Sequence, residues 1–174
     1  MKSVLFIAGL FFSSIVVAQE KTDNSVPGQT SFYAELGGPG ILFSANIDRR
    51  FNKSQFGFGG RVGVGFVTTD TYDNTTYNTT TKSVVTFPLQ LNYIFGKPNS
   101  PHAFEVGGGV TFTGKKVDIF GYDTSQASSV YGTAAFMYRR QPKDGGFAWR
   151  IGFTPIIGSG YIQPSGGVSV GYNF

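Results

Sequence analysis

From Gln55 to Val67 the even positions are Phe56, Phe58, Gly60, Val62, Val64 and Phe66, and the odd ones include Gly57, Gly59, Arg61, Gly63 and Gly65. A repeat of two is the signature of a strand with one apolar and one polar face. Ser83 to Gly96 repeats it, with Val85, Phe87, Leu89, Leu91, Tyr93 and Phe95 against Thr86, Pro88, Gln90 and Asn92. The same parity runs through Ile41–Ile47, Phe104–Phe112, Val130–Tyr138, Phe147–Ile157 and Val168–Phe174. With a shorter strand from Thr30 to Gly37, the pattern predicts eight strands and no helix.

The connections alternate in length. Asn52 to Gln55, Lys97 to Pro101 and Gln141 to Gly145 are short and rich in turn residues. Thr68 to Lys82 and Gly114 to Ala127 are long and fall at the opposite end, together with Gly158 to Pro164. Gly37-Gly38-Pro39-Gly40 is then an unusually tight first turn at that end, although residues 30–51 could instead form one long bent strand. The prediction is an all-β, eight-stranded antiparallel up-and-down barrel over residues 30–174, with both termini at the end of the short turns.

A membrane barrel and a soluble lipocalin-like barrel share this alternation and differ in which face looks outward. One face collects Phe32, Phe43, Phe51, Phe56, Phe58, Phe66, Phe87, Tyr93, Phe95, Phe104, Phe112, Phe136, Tyr138, Phe147, Trp149, Phe153, Tyr172 and Phe174. An eight-stranded interior has no room for these rings, so they are expected to face lipid, concentrated toward the strand ends as aromatic girdles. Glycines and small polar residues such as Ser44, Asn46, Gln90, Asn92, Thr111, Thr133 and Thr154 then line the lumen. By the same parity Glu35, Asp48, Arg50, Arg61, Glu105, Arg139 and Arg150 point inward. Seven such charges require pairing, and the expectation is a lumenal network centred on Glu105 with Arg61 and Arg150.

Ahead of the barrel, Met1 to Ala18 carries Lys2, an apolar run from Val4 to Val17 and the small-residue site Val16-Val17-Ala18, the layout of a cleavable secretory signal peptide. Its run is shorter than a spanning helix needs. Residues 19–29 are polar, contain Pro27 and Gly28, and read as a flexible periplasmic lead-in. The absence of Cys removes disulfides, thiol catalysis and an N-terminal lipid anchor. The chain is 16% aromatic and only 14% charged, and no basic run exceeds two residues, so nucleic acid is not an expected partner.

These features, with the terminal strand Gly166-Gly167-Val168-Ser169-Val170-Gly171-Tyr172-Asn173-Phe174, resemble small outer-membrane β-barrels of the OmpA/OmpX-like type. The segments Tyr33-Ala34-Glu35-Leu36-Gly37-Gly38 and Asp48-Arg49-Arg50-Phe51 are similar to barrels of Bacteroidota in particular. The resemblance implies residence in outer-membrane lipid and insertion by the barrel-assembly machinery, with Phe174, preceded by Tyr172, as the assembly signal. On activity it is nearly silent.

Some small barrels are enzymes that use His with Ser, Asp or Glu at the outer rim. The single His, His102, falls at a short periplasmic turn, so no catalytic residue, cofactor or metal site is expected. Asp70, Asp73 and Asn74 lack the loop glycine and closing Glu of a dedicated calcium site. Tyr72, Tyr77, Phe120 and Tyr122 in the long outer connections are the candidate contacts for an extracellular ligand or surface. The expected function is a non-enzymatic membrane barrel with a plugged polar lumen and a structural or adhesive role. A narrow porin-like conduit for solutes or ions and a soluble secreted lipocalin-like binder are the alternatives.

Overall fold

The computed structural model describes residues 28–73, 77–119, 127–158 and 160–174; the leader, Phe120 and Tyr122 lie outside them. Ten strand segments follow one another: β1 (Thr30–Gly37), β2 (Phe43–Arg50), β3 (Gly57–Asp73), β4 (Asn78–Gly96), β5 (His102–Val117), β6 (Ser128–Arg140), β7 (Gly146–Phe153), β8 (Ile156–Gly158), β9 (Tyr161–Gln163) and β10 (Gly166–Asn173). The segments β7 and β8 form one barrel strand interrupted at Thr154-Pro155, and β9 and β10 another interrupted at Pro164-Ser165. Proline has no N–H for the ladder, but the line of hydrogen bonds is carried across by Thr154 N–H to Ser165 O, 2.8 Å, and Ala134 N–H to Pro155 O, 3.1 Å.

Each strand pairs antiparallel with its sequence neighbour, and β1 pairs with β10 to close an eight-stranded up-and-down barrel. Stepping round the barrel from Ser31, the register partners are Asp48, Arg61, Gln90, Gly109, Thr133, Ile156 and Gln163. Continuing the β1–β10 register returns the path to β1 at position 41, ten residues beyond its start. Eight strands with a stagger of ten residues imply a strand tilt of about 40° and a backbone radius of about 8 Å. That radius leaves an interior that side chains fill.

Most of the large apolar residues are outside; Ile94, Tyr131, Met137 and Ile156 are buried. Phe58, Leu91 and Phe104 are 61%, 64% and 62% exposed, while Leu89, Ile151 and Val168 are about half exposed on the same surface. Most of the rings gather into two bands, with the stacked pair Phe136 and Phe153 (6.5 Å) between them. One, at the end of the termini and short turns, joins Phe58 to Tyr93 (4.8 Å), Tyr93 to Phe95 (4.5 Å), Phe104 to Tyr138 (5.9 Å) and Tyr138 to Trp149 (5.4 Å). The other includes Phe43 against Phe66 (5.7 Å) and the register pair Phe87 and Phe112. Phe58 and Phe66 lie eight residues apart on β3, roughly 20 Å of axial height, with Val62 and Val64 between them.

Two connections differ from expectation. The tract from Thr68 to Lys82 is predominantly a strand hairpin, paired from Thr68↔Ser83 up to Asp73↔Asn78. Its run of β-branched threonines favours the extended ladder over a solvated loop. Likewise β5 continues to Val117, with a register shift after Phe112, and β6 begins at Ser128, so the second long loop is shorter than Gly114 to Ala127.

Candidate functional site

Alternation along the strands sends Glu35, Asp48, Arg50, Arg61, Glu105, Arg139 and Arg150 into the lumen, where all seven are buried. Glu105 Oε2 accepts from Arg139 Nη1 at 2.8 Å and from Arg150 Nη1 at 3.1 Å. Arg139 Nη1 also reaches Asp48 Oδ2 at 3.2 Å, and Asp48 Oδ1 pairs with Arg50. On the other side Arg150 Nη2 is 3.5 Å from Glu35 Oε1, and Glu35 Oε2 pairs with Arg61. The seven charges form one alternating chain that begins and ends on arginine: Arg61, Glu35, Arg150, Glu105, Arg139, Asp48, Arg50.

Arg61 is therefore paired with Glu35 and not with Glu105. Arg139 stands on the strand next to Glu105, two residues from its register partner Met137, and takes that side of the carboxylate. Asn92 cross-links the chain, donating to Glu105 Oε1 at 3.1 Å and Asp48 Oδ2 at 3.3 Å while accepting from Arg50 Nη2 at 2.6 Å. The ring of Tyr33 lies 3.5 Å from Arg150 Cζ and 5.4 Å from Arg61 Cζ. Stacking on an aromatic face favours guanidinium groups removed from water. Sequence reading missed this inward tyrosine because it looked for small lumenal residues, although the parity of β1 places position 33 beside Ser31 and Glu35.

Above the charges, the turn between β1 and β2 folds inward. Gly38–Gly40 is a single 3₁₀ turn, fully buried, across the lumen. Thr111 Oγ1 donates to Pro39 O at 2.5 Å and Thr86 Oγ1 to Gly40 O at 3.0 Å, from β5 and β4. The reversal uses positive φ at Gly37 (68°) and Gly38 (69°), and also at Ile41 (80°), a conformation rare for a β-branched residue. Ile41 then packs under a small apolar cluster of Val67, Val84 and Val117, with Ile119 beside it. Inside the barrel, the ion chain, the 3₁₀ turn and this apolar cluster thus lie at three levels.

The remaining candidates lie apart from the lumen. His102 opens β5 on the exposed surface, its ring Nδ1 hydrogen-bonded to the Tyr138 hydroxyl. Tyr77 stands at the tip of the β3–β4 hairpin, 79% exposed, with φ 54°. Tyr72 belongs to β3 opposite Thr79. Tyr172 is on the outer face against Phe174 (5.2 Å). Phe174 N–H donates to Thr30 O at 2.8 Å and its carbonyl accepts from Gly28 N–H at 2.5 Å, so the last residue lies at the β1–β10 closing seam. Among the described residues no group of three or more His, Asp or Glu is placed to hold a metal ion.

No protein-family model matches the chain, and no curated protein is similar to it in sequence. Among solved structures it is similar to the N-terminal β-barrel domain of Pseudomonas aeruginosa OprF, with a TM-score of 0.55 and 12% identity over 85% of this chain and 99% of that one. At that identity the shared property is the fold alone: a closed, eight-stranded, up-and-down antiparallel barrel.

Proposed function

We propose that the chain is an integral outer-membrane protein, exported by the leader of residues 1–18, whose sealed barrel is a non-enzymatic anchor for the hairpins at its outer end. The observation that supports this most is the outer surface: two aromatic bands about 20 Å apart enclose an aliphatic belt, which matches the girdles and apolar band of a membrane barrel. In water such a surface would be an aggregation hazard. A lipocalin-like binder would carry its large apolar residues on the inside, whereas Phe58, Leu89 and Leu91 are outside.

The plugged lumen favours a structural over a conducting role, because an ion moving along the axis would have to displace the 3₁₀ turn and break several charge pairs. Adhesion would use the β3–β4 and β5–β6 hairpins, with Tyr77, Tyr72, Phe120 and Tyr122 as contact residues. Insertion would rely on the barrel-assembly machinery reading Tyr172 and Phe174.

Fractionation of cells expressing the full chain tests the location: the protein should require detergent for extraction and migrate faster on gels before boiling than after. Appearance in the soluble fraction would contradict it. Planar-bilayer recording tests the seal, with no resolvable single-channel conductance expected; stable openings would instead support the conduit.

A further inference from the structure

The ion chain leaves one charge over. Among the described residues, the charged groups buried in the lumen are four guanidinium groups and three carboxylates, a net of one positive charge. An uncompensated charge held away from water is costly, so it either draws in a counter-ion or weakens the fold.

Beside Arg139 and Arg150, in the middle of the ion chain, lies a small cavity of about 10 Å³ bounded by Ser31, Tyr33, Arg139, Arg150, Ser169 and Asn173. That is space for one small particle. Its lining is mostly apolar, and the polar groups in it are chiefly donors. Arg150 Nε donates to Ser169 Oγ at 2.8 Å and Arg139 Nη2 to Ser31 Oγ at 3.4 Å, which leaves both serine O–H groups to donate elsewhere. The buried Arg139 Nε, Tyr33 hydroxyl and Asn173 amide nitrogen have no protein partner, and the only unpartnered pure acceptor among these groups is Asn173 Oδ1, on an amide that can present either end. The three carboxylates do not line the cavity.

We infer that this cavity is a binding site for a single small monovalent anion of halide type, which neutralises the lumen and completes the hydrogen bonding of Arg139, Ser31 and Ser169. A divalent or bulky anion does not fit the volume, and the only unpartnered pure acceptor a cation would meet is Asn173 Oδ1. The anion is then an integral part of the plug.

The test uses bromide as the probe, on the purified full-length barrel in detergent. Crystals grown in bromide should show an anomalous peak within hydrogen-bonding reach of Arg139 and the two serines. In solution the melting temperature should rise by about 3 °C for each tenfold increase in chloride above its dissociation constant, relative to gluconate at matched ionic strength. The double variant Ser31→Ala/Ser169→Ala should fold, as judged by its heat-modifiable mobility, and lose the chloride-specific rise. Equal responses to chloride and gluconate with no bromide peak would overturn the inference and assign the cavity to water. A bromide peak without chloride-specific stabilisation would overturn it too, as binding at crystal concentration only.

Discussion

Three lumenal glycines are defined by what occupies the space where a Cβ would stand. At Gly59 that point is 2.1 Å from Arg50 Cζ, at Gly63 2.1 Å from Asn46 Oδ1, and at Gly38 2.6 Å from the Glu35 carboxyl carbon. The long polar side chains lie in the gaps that these glycines leave, so a narrow lumen can hold arginines. Both halves of that arrangement are legible in the sequence, as inward parity and as glycine alternation on β3; which arginine meets which acid is not, because the choice depends on height along the axis and thus on the ten-residue stagger. The middle of the chain is its most sensitive point. Glu105→Ala leaves Arg139 and Arg150 each without a principal partner while both stay buried, and it should destabilise the barrel by about 3–5 kcal/mol in urea unfolding from lipid vesicles. Glu105→Gln keeps the volume and part of the hydrogen bonding and should cost less. Equal stability of the wild type and Glu105→Ala would mean that the lumen is hydrated enough to screen the charges.

The inward 3₁₀ turn shows where local signals run out. Gly37-Gly38-Pro39-Gly40 reads correctly as a tight reversal, but nothing in those residues says that the turn enters the barrel instead of standing above it. Its partners, Thr86 and Thr111, lie 46 and 72 residues from the carbonyls they bind. Small residues leave room for the turn at that height, with Ser44 close against Gly40 and Gly167 close against Gly38. The pair Thr86→Val/Thr111→Val removes both donors while keeping shape, leaving two buried carbonyls without a side-chain partner. A loss of about 1–3 kcal/mol is expected in the same unfolding assay. No change in the double variant would show that the turn is held by packing alone. The Thr-rich β3–β4 hairpin is the converse case: low complexity suggested a loop, and the β-branched character of threonine, which suits a ladder, was the signal overlooked.

At the scale of the whole molecule, strand number, closure and the outward direction of the rings follow from period-two patterning together with one volume argument. An eight-stranded cylinder of about 8 Å backbone radius cannot hold eighteen aromatic side chains, and this inference needs no contact information. Function is less legible, since fold and surface suit many barrels and only residue-level sites separate them. The membrane reading does fix a depth dependence. Val62→Arg, midway between the aromatic bands, should cost about 2–4 kcal/mol in vesicle unfolding, whereas Ile162→Arg, in the β8–β9 hairpin beyond the outer band, should cost about 0–1 kcal/mol. Equal costs would place both residues in the same medium. The most direct measurement exploits the absence of cysteine: Leu89→Cys, Gln90→Cys, Leu91→Cys and Asn92→Cys, each labelled with a fluorophore in vesicles containing acyl-brominated lipid. Strong quenching at 89 and 91 and weak quenching at 90 and 92 is the expected result; uniform quenching, or an inverted alternation, would contradict a barrel whose apolar face meets lipid.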